Sequence, residues 1–184
     1  MRRVGRIRPV RRASSNSGHA TPEREFAAFL SRFDPATASR ARVALRAMRS
    51  RLPGAVELVY DNYNALVVGF GPTERASDAV FSIALYPRWV TLFFLQGATL
   101  SDPAHLLRGS GKIVRHVVLT DASDLDRPAV RELMRRALER QPLAGAGERK
   151  LVIRSVSAKQ RPRRPVSERS PRRRPASGTR NEEG

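Results

Sequence analysis

The first apolar pattern along the chain has the spacing of an α-helix. Thr21 is a residue type that caps helices, and Pro22 suits the first helical position. Apolar side chains then follow at positions i, i+3, i+4 and i+7: Phe26, Phe29, Leu30 and Phe33. Residues with this spacing share one face of a helix, so the pattern predicts an amphipathic helix that begins near residue 22.

Two further helices and one helical turn are predicted in the same way. Asp34-Pro35 starts a second helix, which Pro53-Gly54 ends. Asp126-Arg127-Pro128 starts a last helix, and Asp102 to Leu107 is predicted to form a short helical turn. The apolar stripe of the last helix comprises Val130, Leu133, Met134, Ala137 and Leu138.

Between the second and the last helix, the pattern changes to short apolar runs rich in β-branched and aromatic residues. Such runs, separated by turn residues, are typical of strands. Five strands are predicted, at residues 55–60, 65–70, 79–86, 89–95 and 112–119, and residues 151–157 are a candidate for one more. The links are short, and Pro87-Arg88 allows only a tight hairpin, which favours antiparallel pairing. The predicted fold class is therefore α+β: an antiparallel sheet of about five strands, two N-terminal helices and a C-terminal helix.

The two faces of this sheet are predicted to differ. Three apolar residues of the third strand share the face expected beneath the helices: Phe81, Ile83 and Leu85. Their neighbours share the other face: Ser82, Ala84 and Tyr86. Because these side chains are too small and too polar for a second core, we expect this face to bind a ligand or to form a homodimer.

Charge distinguishes the two ends of the chain from its middle. The 184 residues have a formal net charge of +18, from 35 Lys and Arg against 17 Asp and Glu. Residues 1–20 contain six arginines and no acid, and residues 157–184 are rich in arginine and proline. Neither end has enough apolar residues to offset the entropy cost of ordering. We therefore predict a domain at residues 21–156 between a disordered basic head, 1–20, and a disordered Arg/Pro-rich tail, 157–184.

The arginine tracts of the tail predict an interaction with polyanions. Flexible tracts such as RPRRP and SPRRRP can contact successive phosphates of RNA or DNA without reading the base sequence. The candidate nucleic-acid contacts are Arg161, Arg163, Arg164, Arg172, Arg173 and Arg174. A tail that only keeps the protein soluble is the alternative explanation of the same charge.

Residue types that the chain lacks exclude several classes of protein. Without cysteine there are no disulfides, no thiol chemistry and no thiolate metal sites. No apolar run approaches the roughly 18–20 residues of a membrane span. The first twenty residues also lack the apolar stretch of a secretory signal. We therefore expect a cytoplasmic protein that does not associate with the membrane.

Two segments together resemble a known family. They are LPGAVELVYDNYNALVVGF, residues 52–70, and VTLFFLQGATLSDPAHLLRGSGKIVRHVVL, residues 90–119, followed by a helix. Over residues 22–156 the chain resembles the YdhG-like family of bacterial proteins, a domain of unknown function. The most specific part is the hydrophobic strand followed by the Gly97 turn, the segment with Leu106-Leu107 and Gly109-Ser-Gly-Lys112, and Arg115. The resemblance implies a compact cytoplasmic α+β domain and no established reaction.

One branch of that family is described as a frataxin-like iron chaperone, so the resemblance also raises an iron-binding role. Iron without thiolate ligands prefers carboxylates and imidazoles. The two leading helices offer only Glu23, Glu25 and Asp34 among many arginines, and Asp121 and Asp124 occupy positions typical of turns and caps. The residues therefore assign no metal site, and an iron chaperone is the last of our hypotheses.

The segment LLRGSGKIVRH, residues 106–116, has some features of a phosphate-binding loop. A nucleoside-triphosphate loop needs Gly, four residues, then Gly-Lys-Ser/Thr at the start of a helix. Here Gly109 and Gly111 are two positions apart, Ile113 replaces the hydroxyl, and a strand follows. We predict a mainly structural turn whose main-chain N–H groups can form a small anion nest beside Lys112 and Arg115.

A polar and aromatic cluster at residues 60–64 supplies the remaining candidate site residues. Asn and Asp are common in turns, but this cluster can also form the rim of a groove with Tyr86 and Trp89. The candidate ligand-binding residues are Tyr60, Asn62, Tyr86, Gly109, Gly111, Lys112 and Arg115. The expected ligand is small and anionic or aromatic.

No catalytic group is assembled in the sequence. His116 alternates with Val114 and Val118 on a strand, which predicts a half-buried, hydrogen-bonded side chain. Ser110 lacks the Gly-x-Ser-x-Gly pattern of a nucleophile. We therefore assign no catalytic residue and no cofactor, and we favour a binding protein over an enzyme.

The sequence-based prediction of function is a non-catalytic module that binds a small ligand or a protein. The alternative is a sequence-nonspecific nucleic-acid binder that acts through its Arg-rich termini. Removal of both termini distinguishes the two, because only the first activity would persist in residues 21–156.

Overall fold

The structure, a computed structural model, describes residues 21–143 and 149–165 and confirms the α+β class. Its helices are α1 (Pro22–Ser31), α2 (Pro35–Arg51) and α3 (Pro128–Arg140). Its strands are β1 (Val56–Asp61), β2 (Leu66–Gly71), β3 (Phe81–Leu85), β4 (Val90–Phe94), β5 (Arg115–Leu119) and β6 (Lys150–Val156). The predicted disorder of residues 1–20 concerns a segment outside the described residues.

The first two helices begin at the capping residues identified in the sequence. The Thr21 side chain accepts a hydrogen bond from the Arg24 N–H (3.4 Å). Asp34 Oδ1 accepts from the N–H groups of Ala36 (2.9 Å) and Thr37 (3.2 Å). These bonds satisfy main-chain donors that have no partner within the helix.

The sheet has six strands in the order β5-β4-β3-β2-β1-β6, so the prediction of about five strands was one short. Five strands form an antiparallel meander, but β6 pairs with β1 in parallel, and the sheet is therefore mixed. The connection from β5 to β6 contains α3, so β6 is not restricted to the antiparallel pairing that a hairpin imposes. Strand β6 corresponds to the candidate strand at residues 151–157.

The segment before β5 differs from its prediction. Residues 102–107 form a turn without a helix, in which His105 has a φ of 51°. The Asp102 carboxylate accepts a hydrogen bond from the Leu107 N–H (2.7 Å) and closes this loop. Strand β5 begins at Arg115, not at residue 112. Main-chain hydrogen bonds between Arg108 and His116 (2.8 and 2.9 Å) extend the sheet by one residue pair beyond β5.

The helices pack on one face of the sheet, as predicted. Strands β2, β3 and β4 contribute its central side chains: Leu66, Val68, Phe70, Phe81, Ile83, Leu85, Val90, Leu92 and Phe94. These side chains are buried in one apolar core with the inner sides of the three helices. The buried area supplies most of the driving force for folding.

The opposite side of the sheet is here named the open face. Its strand residues are Leu58, Tyr60, Val67, Gly69, Ser82, Ala84, Thr91, Phe93, His116 and Val118. In residues 21–143 and 149–165, none of the three α-helices packs on it, but the loop before β3 covers it at Gly69 and Gly71. Leu58, Ala84 and Thr91 on this face are almost fully buried. The side chains of Tyr60, Phe93 and His116 remain partly exposed.

Gly97, in the most specific part of the family resemblance, lies where the chain leaves β4. A Cβ atom at this position would lie 2.6 Å from the Arg115 Cβ and 3.0 Å from the Phe94 Cβ. We expect Gly97→Ala to lower the free energy of unfolding by about 1–3 kcal/mol, because an added methyl group overpacks the site. Urea denaturation measures the change.

Gly111→Ala is the control for this variant. A Cβ atom at Gly111 would meet only the Val114 carbonyl, at 3.7 Å. We expect this variant to unfold close to the wild-type midpoint. Equal stability of the two variants would contradict the close packing of Gly97 against Arg115.

Candidate functional site

The turn between β3 and β4 presents two aromatic side chains. The Tyr86 N–H donates to the Trp89 carbonyl (2.9 Å) and closes the turn over Pro87 and Arg88. The rings of Tyr86 and Trp89 stack, with centroids 5.2 Å apart and planes 26° apart. Trp89 is 45% exposed, whereas burial raises the pKa of Tyr86. The hairpin therefore holds Trp89 in a fixed orientation with much of its ring open to solvent.

Part of the predicted disordered tail, residues 157–165, lies against the domain beside this hairpin. The Ser157 N–H donates to the Asp61 carbonyl (2.8 Å), and the Arg161 N–H donates to the Tyr63 carbonyl (2.9 Å). The segment thus continues from β6 along the end of β1. The rest of the predicted tail lies outside the described residues, together with Arg172, Arg173 and Arg174.

A buried ion pair anchors this C-terminal segment. The Arg163 guanidinium donates through Nη2 to Asp61 Oδ1 (2.5 Å) and to the Asn62 carbonyl (2.5 Å). The side chains of Arg163 and Asp61 are only 4% and 1% exposed. The guanidinium carbon also lies 5.5 Å from the centre of the Phe33 ring, at cation–π distance. Arg163, a candidate phosphate contact in the sequence, is therefore occupied inside the protein.

Two more side chains complete the hydrogen bonding of the Asp61 carboxylate. Asp61 Oδ2 accepts from Arg32 (3.0 Å) and from the Gln160 amide (2.6 Å). Arg32, directly after α1, and two residues of the C-terminal segment thus converge on one carboxylate of β1. This arrangement satisfies the charge of a group that would otherwise be costly to bury.

Between the hairpin and the C-terminal segment lies an open groove of about 680 Å³. It is lined by Asn64, Tyr86, Pro87, Arg88, Trp89, Arg161, Pro162, Arg164 and Pro165. The three arginines are exposed, and the lining contains no carboxylate. The groove therefore combines aromatic faces with guanidinium groups, which suits a ligand that has both flat rings and negative charge.

The structure divides the candidate ligand residues between opposite ends of the sheet. Tyr86 lies in the groove at the end where β4 begins. Arg115 is paired with Phe94, at the end where β4 finishes, and Lys112 lies close to it in sequence. Asn62 lies at the β1–β2 turn, and Tyr60 lies on the open face. No single small-molecule site among the described residues contains all seven candidates.

The glycine turn before β5 is held by its own contacts. The Arg115 guanidinium donates to the Gly111 carbonyl and to the Val114 carbonyl (2.9 Å). Gly109 has a φ of 109°, in the region that favours glycine, and a Cβ atom there would lie 3.3 Å from His116 Nδ1. Arg115 therefore stabilises the turn through two carbonyls of the turn itself.

The buried carboxylates of β1 are the features that sequence reasoning missed. Asp61 was assigned to a turn cluster, but it is the last residue of β1 and faces the helices. Glu57 also lies on this side, where it accepts two hydrogen bonds from Arg49 (2.9 and 2.7 Å) and one from Arg149 (2.9 Å). The alternation of Glu57, Val59 and Asp61 along the strand is the signal that could have identified them.

The described residues contain no group of three or more His, Asp or Glu side chains arranged to bind a metal ion. Among residues 21–143 and 149–165, no helix has both the length and the apolar character needed to cross a membrane.

Comparison of the chain with models of protein families, with curated proteins and with solved structures found no match.

Proposed function

We propose that this protein binds single-stranded nucleic acid, without sequence preference, in the groove between the β3–β4 hairpin and the C-terminal segment. The proposal follows the second of the sequence-based hypotheses but transfers the binding from free tails to a surface of the domain. One observation carries it: Tyr86, from the candidate ligand residues, lines the same groove as Arg161 and Arg164, from the candidate nucleic-acid contacts.

The side chains of the groove match the two chemical parts of a nucleotide. Bases of every type stack on aromatic rings, so Trp89 can contribute affinity without reading sequence. Exposed guanidinium groups, here Arg88, Arg161 and Arg164, form charge-assisted hydrogen bonds with phosphates. A single strand fits this description better than a duplex, because its bases are free to leave their neighbours and stack on protein.

The anchoring of the C-terminal segment supports the proposal on energetic grounds. A free arginine loses side-chain and backbone entropy when it binds a phosphate. Here Arg163 and the main-chain bond of Arg161 already position the segment. The net charge of +18 adds a long-range attraction for polyanions. We place this activity in the cytoplasm, in keeping with a chain that has no cysteine.

The test is the double variant Arg161→Ala, Arg164→Ala in the full-length protein. With a fluorescently labelled single-stranded RNA, we expect the affinity to fall roughly tenfold at low salt. The slope of log K against log salt should become shallower by about 1.4, since two phosphate contacts on a single strand are lost. Fluorescence anisotropy at several salt concentrations gives both numbers.

The matched control is Arg42→Ala, Arg46→Ala, which removes the same charge from the exposed side of α2. We expect its salt slope to equal that of the wild-type protein. An equal loss in both double variants would show that only net charge attracts the strand and would contradict a site in the groove.

A further inference from the structure

The open face of the sheet carries a second aromatic pair, at a distance from the groove. Phe93 and His116 are cross-strand neighbours on β4 and β5, with ring centroids 5.4 Å apart and planes 42° apart. Both side chains are partly exposed. Trp89 and Phe93 are four residues apart along one strand, which corresponds to about 13 Å. The two aromatic pairs therefore lie in line along β4.

The surface between the two aromatic pairs consists of small side chains and carries no charge. Thr91, Ala84 and Ser82 occupy it, and they are only 2%, 1% and 9% exposed, so the larger side chains around them form the accessible surface. The surface is thus a shallow strip with an aromatic pair at each end.

The charges around the open face are mostly positive. Glu57 and Asp61 are the two acidic residues within the strands, and both face the helices. Arg108 lies beyond β5 at one edge, and Lys150 and Arg154 lie on β6 at the other. The acidic exceptions are Glu74, which pairs with Lys150 and approaches Arg154 (4.0 Å), and Asp78 in the loop over Gly71, whose carboxylate accepts a hydrogen bond from Thr73 (2.6 Å). This distribution favours an anionic occupant over a second copy of a chain that is itself strongly basic.

Resting on the function proposed above, we propose that the open face is a second base-stacking surface of the same site, centred on Phe93 and His116. A single strand that enters at the groove runs along β4, with bases on Trp89 and on Phe93. Burial and the nearby charge of Arg108 lower the pKa of His116, so its ring is neutral at pH 7 and offers a flat uncharged face. The occupant is a single-stranded polynucleotide, since each base brings a π-face and each phosphate a charge.

The experiment uses full-length protein and a series of oligouridylates of about 4 to 16 nucleotides, the range of single-strand site sizes. Trp89, the only tryptophan of the chain, reports occupancy of the groove by its fluorescence. The variant Phe93→Leu keeps apolar bulk but removes the ring, and Phe93→Tyr restores a ring. We expect Phe93→Leu to bind the shortest oligomer as the wild type does, and to bind the longest about five- to tenfold more weakly. Phe93→Tyr should recover the loss.

Other outcomes overturn the inference. If Phe93→Leu binds every length like the wild type, the open face does not contact the strand, although the groove does. If no oligomer changes the fluorescence of Trp89 in the wild type, the proposed function itself fails. If sedimentation shows a wild-type dimer that Phe93→Leu converts to monomer, the face is an interface between copies of this chain.

Discussion

Replacing Asp61 by alanine is expected to lower the free energy of unfolding by about 3–5 kcal/mol. The carboxylate is 1% exposed and accepts hydrogen bonds from Arg32, Gln160 and Arg163. Without it, the guanidinium of Arg163 remains in a site that is 4% exposed, with the Asn62 carbonyl as its remaining hydrogen-bond acceptor. A buried charge that loses its partner is among the most destabilising changes known in proteins. Urea denaturation followed by circular dichroism gives the free energy.

The control for this variant is Asp126→Ala. Asp126 also pairs with an arginine, Arg51, but its side chain is 69% exposed, so the pair should contribute less than about 1 kcal/mol. We further expect Asp61→Ala to release residues 157–165, which tryptic cleavage at Arg163 would detect. Equal stability of the two variants would contradict an anchoring role for the pair between Asp61 and Arg163.

Replacing Trp89 by alanine is expected to weaken binding of single-stranded RNA by about tenfold, because one stacked base contributes about 1–3 kcal/mol. Nearly half of the side chain is exposed, and it lies outside the apolar core. The melting temperature should therefore change little. Fluorescence anisotropy with a labelled RNA and a thermal melt of the same preparation separate the two effects.

Trp89→Phe is the matched variant, because it keeps an aromatic face at the same position. We expect Trp89→Phe to bind single-stranded RNA nearly as tightly as the wild type does, unlike Trp89→Ala. If both variants bind as the wild type does, the groove is not the site. If Trp89→Ala lowers the melting temperature markedly as well as the affinity, Trp89 is chiefly a structural contact of the hairpin.

The helices and most strands could be predicted because their signals are local. Thr21 and Asp34 are caps whose side chains bond within three residues, and prolines follow both. The hairpin at Pro87-Arg88 is set by its own length. The parallel position of β6 is different, because it depends on where α3 returns the chain. No pattern within residues 151–157 identifies the strand with which they pair.

The candidate site could be predicted only in part for a related reason. Tyr86 and Trp89 were identified as a groove rim because they flank one short turn. Arg163 could not be separated from Arg161 and Arg164, since all three stand in one RPRRP tract with the same local composition. Only the contact with Asp61, about 100 residues away in the sequence, decides which arginine is buried. A compositional prediction of disorder therefore extended over a segment that one long-range ion pair holds in place.

The emission of Trp89 during titration with a single-stranded oligouridylate tests the central claim most directly. The chain has one tryptophan, and it lines the proposed groove. We expect saturable quenching at low salt, reversed as salt is added, with the same midpoint as the anisotropy of the labelled RNA. Unchanged emission at RNA concentrations where anisotropy reports complete binding would place the strand elsewhere on the protein and contradict the account.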